Sequence, residues 1–135
     1  MVFAEGKSTN YATTHFSRNG RKVRLLMHRF ILNAPRALEV DHANMNGLDN
    51  RRSNIRLCTR VQNIANYKVS SVNTSGFKGV IKETSKLRPR PWRARIRIDG
   101  KLMSLGYFNT PAEAAKAYNA KAKEVYGDFA RLNPV

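Results

Sequence analysis

The sequence predicts an α+β protein made of two small modules, and three observations carry that expectation. Asn19-Gly20 and Asp99-Gly100 each lie between strand-like runs, the residue pairs that a tight hairpin turn requires. A strand, a long loop, a strand and a capped helix succeed one another from residue 38 to beyond residue 59. Thr110-Pro111-Ala112-Glu113 opens a second helix with a strong capping sequence.

In the first module, residues 11–16 and 22–26 form the arms of the first hairpin. A short helix over 27–32 ends before Pro35. Residues 38–42 are a strand running into a loop, 43–54, crowded with Asn, Asp and Gly. Residues 55–58 return as a strand, and Thr59 opens a helix with Gln62 completing its capping box. The polar run 66–76 marks the junction, giving modules at 1–68 and 76–135 joined by a linker at 69–75. Residues 77–81, 92–98 and 101–107 are the strands of a three-stranded antiparallel sheet. The helix from Pro111 runs to about Tyr126, with Gly127 as a left-handed cap. Ala115, Tyr118, Ala122 and Val125 form its buried stripe against that sheet.

Charge narrows the functional classes. The 135 residues hold 25 Lys and Arg against 9 Asp and Glu, a net charge of +16. Up to Ser70 there are 12 basic and 4 acidic residues, and beyond it 13 and 5, so each half carries +8. Such a surplus repels itself unless a polyanion neutralises it, and nucleic acid is the commonest one. A hydrophobic content of 41% excludes a disordered polycation. Residues 25–32, the longest mostly apolar stretch, contain His28 and Arg29, which excludes a membrane span there. Residues 1–7 hold no signal-peptide core, which argues against secretion. The single cysteine, Cys58, excludes an internal disulfide and a zinc ribbon, and its apolar strand marks it as a buried small hydrophobe.

Asp41-His42 closes the first strand of the strand–loop–strand–helix unit. Asn54 follows His42 by 12 residues, where the loop rejoins the next strand, and Asn63 by 21, in the first turns of the helix. This order of elements brings those places together, offering a carboxylate and an amide oxygen to a divalent cation beside an imidazole. Phosphodiester hydrolysis needs such a base and such a metal. By spacing alone, a turn carboxylate and a satisfied histidine explain the same residues. His15 reads as a strand-surface residue and His28 as a packing residue.

The run His28-Arg29-Phe30-Ile31-Leu32, with Glu39-Val40-Asp41-His42 and the residues on to Asn63, closely resembles the HNH endonuclease family, in the branch found in phage and intron-encoded homing nucleases. The resemblance implies a ββα-metal fold. It makes His42 the general base, and Asp41 and Asn63 the ligands of one Mg²⁺ or Mn²⁺ ion. Asn54 would hold the loop and orient His42, and Asn63 would make this an H-N-N variant. The expected products are a 5′-phosphate and a 3′-hydroxyl. The implied setting is the cytoplasm or nucleoid of a bacterial host.

In the second module, Arg93, Arg95 and Arg97 alternate with Trp92, Ala94, Ile96 and Ile98, so the arginines share one strand face, about 7 Å apart. A row of arginines without an interleaved acid suits phosphate and guanine contacts. The segments Gly76-Phe77-Lys78-Gly79-Val80, residues 92–97, Leu105-Gly106-Tyr107-Phe108, residues 113–118 and residues 127–133 resemble the APETALA/ethylene-response-factor DNA-binding domain. That family reads the major groove through its sheet. The resemblance implies contacts from Arg93, Arg95 and Arg97, with Lys78 and Lys82 from the first strand. Lys101, and Arg51 and Arg52 in the long loop, complete the expected DNA-binding set.

The expectation is a metal-dependent endonuclease on double-stranded DNA, a monomer or weak dimer without a membrane or small-molecule cofactor. Its rivals are a DNA-binding regulator without catalysis and an architectural or RNA-binding basic protein.

Overall fold

A computed structural model describes residues 2–4, 10–85 and 89–135, with side chains from residue 10 onward. Most of residues 1–7, read above for a signal peptide, lie outside that set. The chain divides into two compact units, Met1–Asn66 and Tyr67–Val135. Both are mixed α+β with small antiparallel sheets.

In the first unit, β1 (Val2–Ala4), β2 (Tyr11–Arg18) and β3 (Arg21–Leu26) form one sheet in that order. The hairpin turn is Asn19-Gly20, with φ of 52° and 74°, the positive pair that a turn matched to strand twist demands. The pairing of β1 with Tyr11, Ala12 and Thr13 had no strand signal in the sequence. α1 (Met27–Ile31) follows, and the Arg29 guanidinium donates to the carbonyls of Ala34, Pro35 and Leu38, fixing the turn into the next strand. β4 (Glu39–His42) and β5 (Ile55–Cys58) pair in register, Asp41 opposite Arg56 and His42 opposite Ile55. α2 (Arg60–Asn66) then begins with Thr59 and Gln62 bonded reciprocally, the expected capping box. Ala12, Val40, Ile55, Cys58 and Ala65 are the buried apolar residues of this unit.

In the second unit, β6 (Val80–Lys82), β7 (Trp92–Ile98) and β8 (Lys101–Phe108) form a sheet in that order, with Asp99-Gly100 at the β7–β8 turn. β6 is shorter and later than the strand expected at 77–81. Gly76 and Gly79 take φ of 76° and 73°, which curls residues 77–79 into a turn instead. A bulge on β8 sets Ala94 opposite Gly106 but Arg95 opposite Ser104. The segment expected as a linker, 69–75, is partly built into this unit. Asn73 accepts from the Ser75 and Gly76 amides and donates to the Phe77 carbonyl, while the Ser75 hydroxyl donates to the Val80 carbonyl.

α3 (Pro111–Tyr126) has the complete capping box of Thr110 and Glu113. Its Ala114, Ala115, Tyr118 and Ala122 are buried against Val80, Ala94 and Ile96, whereas Val125 is only half-buried. Small side chains let the helix lie close on the sheet. Gly127 does have positive φ, 53°, but its ψ of −129° is not left-handed helical, and a 3₁₀ turn (Gly127–Phe129) leads away. Buried Asn133 secures the tail. Its side chain accepts from the Lys78 amide and donates to the Lys78 carbonyl, and its own backbone exchanges two bonds with Asn119.

A Cβ at Gly79 would sit 2.1 Å from the Tyr118 ring and 2.7 Å from the Arg95 carbonyl, whereas one at Gly76 would meet nothing within 4 Å. Gly79→Ala is therefore expected to cost the second unit about 2–4 kcal/mol in urea unfolding. Gly76→Ala, with backbone strain alone, is expected to cost about 1–2 kcal/mol.

Candidate active site and nucleic-acid surface

The end of β4 is buried although it carries a carboxylate and an imidazole. Asp41 is 3% exposed and His42 5%. A buried carboxylate needs donors, and Asp41 has them. Its Oδ2 accepts from Arg56 Nε at 2.9 Å and from the terminal nitrogen NH2 of Arg56 at 2.8 Å. Arg56 stands opposite it on β5, so the pairing register supplies this ion pair. Oδ1 accepts from Asn66 Nδ2 at 3.0 Å.

Asn66, the last residue of α2 and 6% exposed, was not anticipated from the sequence. Its Nδ2 also lies 3.2 Å from Asp41 Oδ2, 3.1 Å from the His42 carbonyl and 3.4 Å from the Ala43 carbonyl. Four oxygens thus surround one amide nitrogen. Asn63, the residue expected beside Asp41, instead donates to Glu39 Oε2 at 2.6 Å. This bond is the main reason that the Glu39 carboxyl is held below its ordinary pKa. Spacing had placed Asn63 correctly on the helix but could not tell which of two asparagines, three residues apart, meets Asp41.

Asn54 is buried and ties the long loop across its width. Its Oδ1 accepts from the Asn44 amide at 3.0 Å, its Nδ2 donates to the Asp49 carbonyl at 2.8 Å, and its own carbonyl accepts from the Ala43 amide. The side chain that touches the His42 ring is a different one, Asn50, with Oδ1 3.3 Å from His42 Nε2. Asn50 Nδ2 donates to the Leu48 carbonyl, which turns the amide oxygen toward the imidazole. With its oxygen there Asn50 accepts, so the neutral His42 tautomer that this contact favours carries its proton on Nε2 and its lone pair on Nδ1.

His42 also packs edge-on against His28, ring centres 5.1 Å apart, and both rings meet Tyr11 at the root of β2, at 5.1 and 5.8 Å. His28 is buried and its Nδ1 has no hydrogen-bond partner. Burial, then the nearby His42 and Arg29, lowers its pKa to about 4. Cys58 is buried as expected, and burial beside Asp41 and Glu39 raises its thiol pKa to about 11.

Among the described residues, no three His, Cys, Asp or Glu side chains gather as a metal cluster. The four oxygens around Asn66 Nδ2 are of the carboxylate and carbonyl type that Mg²⁺ and Mn²⁺ take, and in this structure the Asn66 amide occupies them.

The expected DNA contacts are distributed less simply than the sequence suggested. Arg93, Arg95 and Arg97 do share one face of β7. Arg93 pairs with Glu83 at 3.3 Å, donates to Ser104 Oγ and lies over the Tyr107 ring, while Arg97 donates to the Gly100 carbonyl. Among the described residues nothing bonds the Arg95 side chain. Lys82 pairs with Trp92 and Val80 with Ala94, so Lys82 takes the parity of the helix-packed face, its ammonium over the Trp92 ring at 5.6 Å. Lys78 precedes β6, is half-buried and donates to the Tyr67 carbonyl; burial, then Arg131, lowers its pKa to about 8. Lys101, opposite Ile98 at the turn, is exposed and likewise off the arginine parity. In the loop, Arg51 is bridged to Asp49, whose pKa it lowers to about 2, and Arg52 donates to the Ile31 carbonyl. Among the described residues, no helix is long and apolar enough to cross a membrane.

No family model and no solved structure matches the chain. It is 32% identical to Protein 3.8 of Escherichia phage T7 over 98 residues, covering 73% of this chain and 78% of that protein. The chain belongs to the same family as Protein 3.8. It is also 31% identical over 118 residues to an uncharacterized HNH endonuclease of Acanthamoeba polyphaga mimivirus. That match covers 83% of this chain but spans 59% of the viral protein's length. The HNH endonuclease description is that viral protein's, of which this member of the Protein 3.8 family spans about three fifths.

Two outcomes test the site's architecture. Asn66→Ala, which strips a buried donor from Asp41 and the His42 carbonyl, is expected to cost about 1–3 kcal/mol in denaturant unfolding. Asn63→Ala, whose partner is nearer the surface, is expected to cost less than about 1 kcal/mol. The pH dependence follows from His28. Between pH 6.5 and about 4 the unfolded imidazole binds a proton that the folded one refuses. The His28 contribution is therefore whole above pH 6.5 and falls away as the pH drops toward 4. Thermal melts across this window are expected to flatten in His28→Phe.

Proposed function

We propose that the first unit is an HNH nuclease module of the ββα-metal type that hydrolyses phosphodiester bonds of double-stranded DNA. The second unit, in this reading, is a DNA-binding domain that reads duplex DNA through the arginine face of its sheet. One observation carries the reading: Asp41 and His42 stand side by side at the buried end of β4, each held by a dedicated asparagine, in a chain homologous to an HNH endonuclease.

Asp41 Oδ1 would hold the divalent ion, with the Asn66 amide turned to present its oxygen and Arg56 fixing the carboxylate through Oδ2. When bound, that ion supplies charge stabilisation for the departing oxygen. His42 Nδ1 takes the proton of the attacking water, because Asn50 keeps the other ring nitrogen protonated. Asn54 keeps the loop closed so that Asn50 stays in reach. Asn63 clamps the helix to Glu39 and stays outside the chemistry. On the sheet, Arg93 is held ready by Glu83, Ser104 and Tyr107, and Arg95 stands unbonded between it and Arg97 to meet a phosphate or a guanine edge.

A regulator without catalysis is the second reading, and one observation favours it: both oxygens of Asp41 already accept from Arg56 and Asn66. Nicking of supercoiled plasmid with Mg²⁺, with Mn²⁺ and with chelator separates the two. The nuclease reading expects metal-dependent nicking that falls at least about 100-fold in His42→Ala. Tight DNA binding with wild type inert in both metals would establish the regulator.

The role of Asn50 has its own signature. Asn50→Ala is expected to lower the rate about tenfold. Asn50→Asp restores an acceptor, and its charge favours imidazolium, so the acid limb of the pH–rate profile should move to higher pH.

A further inference from the structure

The hairpin of β2 and β3 is a larger structure than its anchoring needs. Burial is confined to its root, where Ala12 and Thr13 are covered, and every β2 residue from Thr14 to Arg18 is exposed, as are Arg21 to Arg24 on β3. Among the described residues β1 pairs only with residues 11–13, and beyond that point the ribbon is two-stranded with neither edge paired.

The charged residues of the exposed part are all cationic. It carries Arg18, Arg21, Lys22 and Arg24, and no Asp or Glu occurs between Tyr11 and Leu38. Register places Arg18 directly opposite Arg21, a like-charge pair that weakens an isolated hairpin. His15 opposite Arg24 and Ser17 opposite Lys22 make one face a set of donors. The other face presents Phe16 and Val23, 43% and 37% exposed, with Arg18 and Arg21 beyond them at the turn, so each face carries two cations. Charges on open edges also discourage strand pairing with other chains, but that purpose does not call for like charges facing each other at the tip.

We infer that this ribbon is a second duplex-DNA-binding surface, separate from the sheet of the other unit, which enters the major groove beside the cleavage site. A two-stranded ribbon fits that groove. Tyr11, at the ribbon's root, touches the ring of His42. The seven steps from Tyr11 to Arg18 span about 23 Å, or about seven base steps of duplex. The ribbon thus begins at the catalytic histidine and runs along the substrate, so its placement rests on the nuclease reading, although its affinity for DNA does not.

The test uses the full chain in chelator, so that binding is read without cleavage. The variant Arg18→Ser/Arg21→Ser/Lys22→Ser/Arg24→Ser is compared with a control that removes four exposed cations elsewhere, Lys68→Ser/Arg90→Ser/Lys116→Ser/Lys123→Ser. Both lower the net charge equally. The ribbon variant is expected to bind a DNA duplex at least tenfold more weakly, and to reduce the slope of log affinity against log salt by about 2–4. The control should lose less than threefold. The milder Arg18→Ser/Arg21→Ser, confined to the exposed turn, should give about half the slope change with a melting temperature no lower than wild type. An RNA duplex of the same sequence, whose major groove is too deep and narrow to admit side chains, should distinguish the ribbon variant from the control no further. Equal losses for ribbon and control variants, or equal ribbon losses on RNA and DNA, would overturn the inference. Failure of wild type to nick plasmid with metal would bear on the nuclease reading and leave this result standing.

Discussion

The first unit depends on a carboxylate that would be intolerable without its partners. Asp41 is buried at the end of a strand, and an isolated charge there would cost several kcal/mol. Arg56 reaches it from β5 and Asn66 from the end of α2, so one side chain fastens three elements. The same amide of Asn66 bonds the His42 carbonyl, which makes the position of the imidazole a consequence of how the carboxylate is satisfied. Structure and chemistry are therefore coupled here: the donors that make the fold possible surround the group that the proposed reaction would use.

The loop 43–54 extends the same logic. It is long, polar and joined to two short strands, yet its own side chains close it. Asn54 bridges Asn44 and Asp49, Asp49 holds Arg51, and Asn50 reaches back to His42. Amides supply both donors and acceptors without adding charge, which suits a loop beside a site proposed to accept a polyanion. The second unit is held differently. Small residues on α3 let it approach the sheet, Gly79 leaves room for the Tyr118 ring, and Asn133 closes the tail onto the start of β6.

Charge is organised by the scarcity of acids. Asp41, Asp49, Glu39, Glu83 and Glu124 each engage a neighbouring cation, five of only nine acidic residues in the chain. These pairs build local structure. Among the described residues, the cations of the ribbon and Arg95 pair with no acid, and a polyanion is the kind of partner that would relieve their self-repulsion.

The turn pairs Asn19-Gly20 and Asp99-Gly100, the capping boxes at Thr59 and Thr110, and the alternation of Arg93, Arg95 and Arg97 were all legible in the sequence. Each rests on local backbone preference or on the side-chain period of a strand, which neighbouring residues alone decide. Asp41, His42 and Asn54 are grouped by the order of the elements and the resemblance to HNH endonucleases, because spacing alone also fits a turn carboxylate and a satisfied histidine. What only the tertiary structure decided were choices among near-equivalents. It selected Asn66 over Asn63 for Asp41, Asn50 over Asn54 for the His42 ring, and the Trp92 side of the sheet for Lys82. A shift of three helical residues, four loop residues or one strand residue changes the partner completely. Composition and spacing determine which groups are near; packing determines which of them touch.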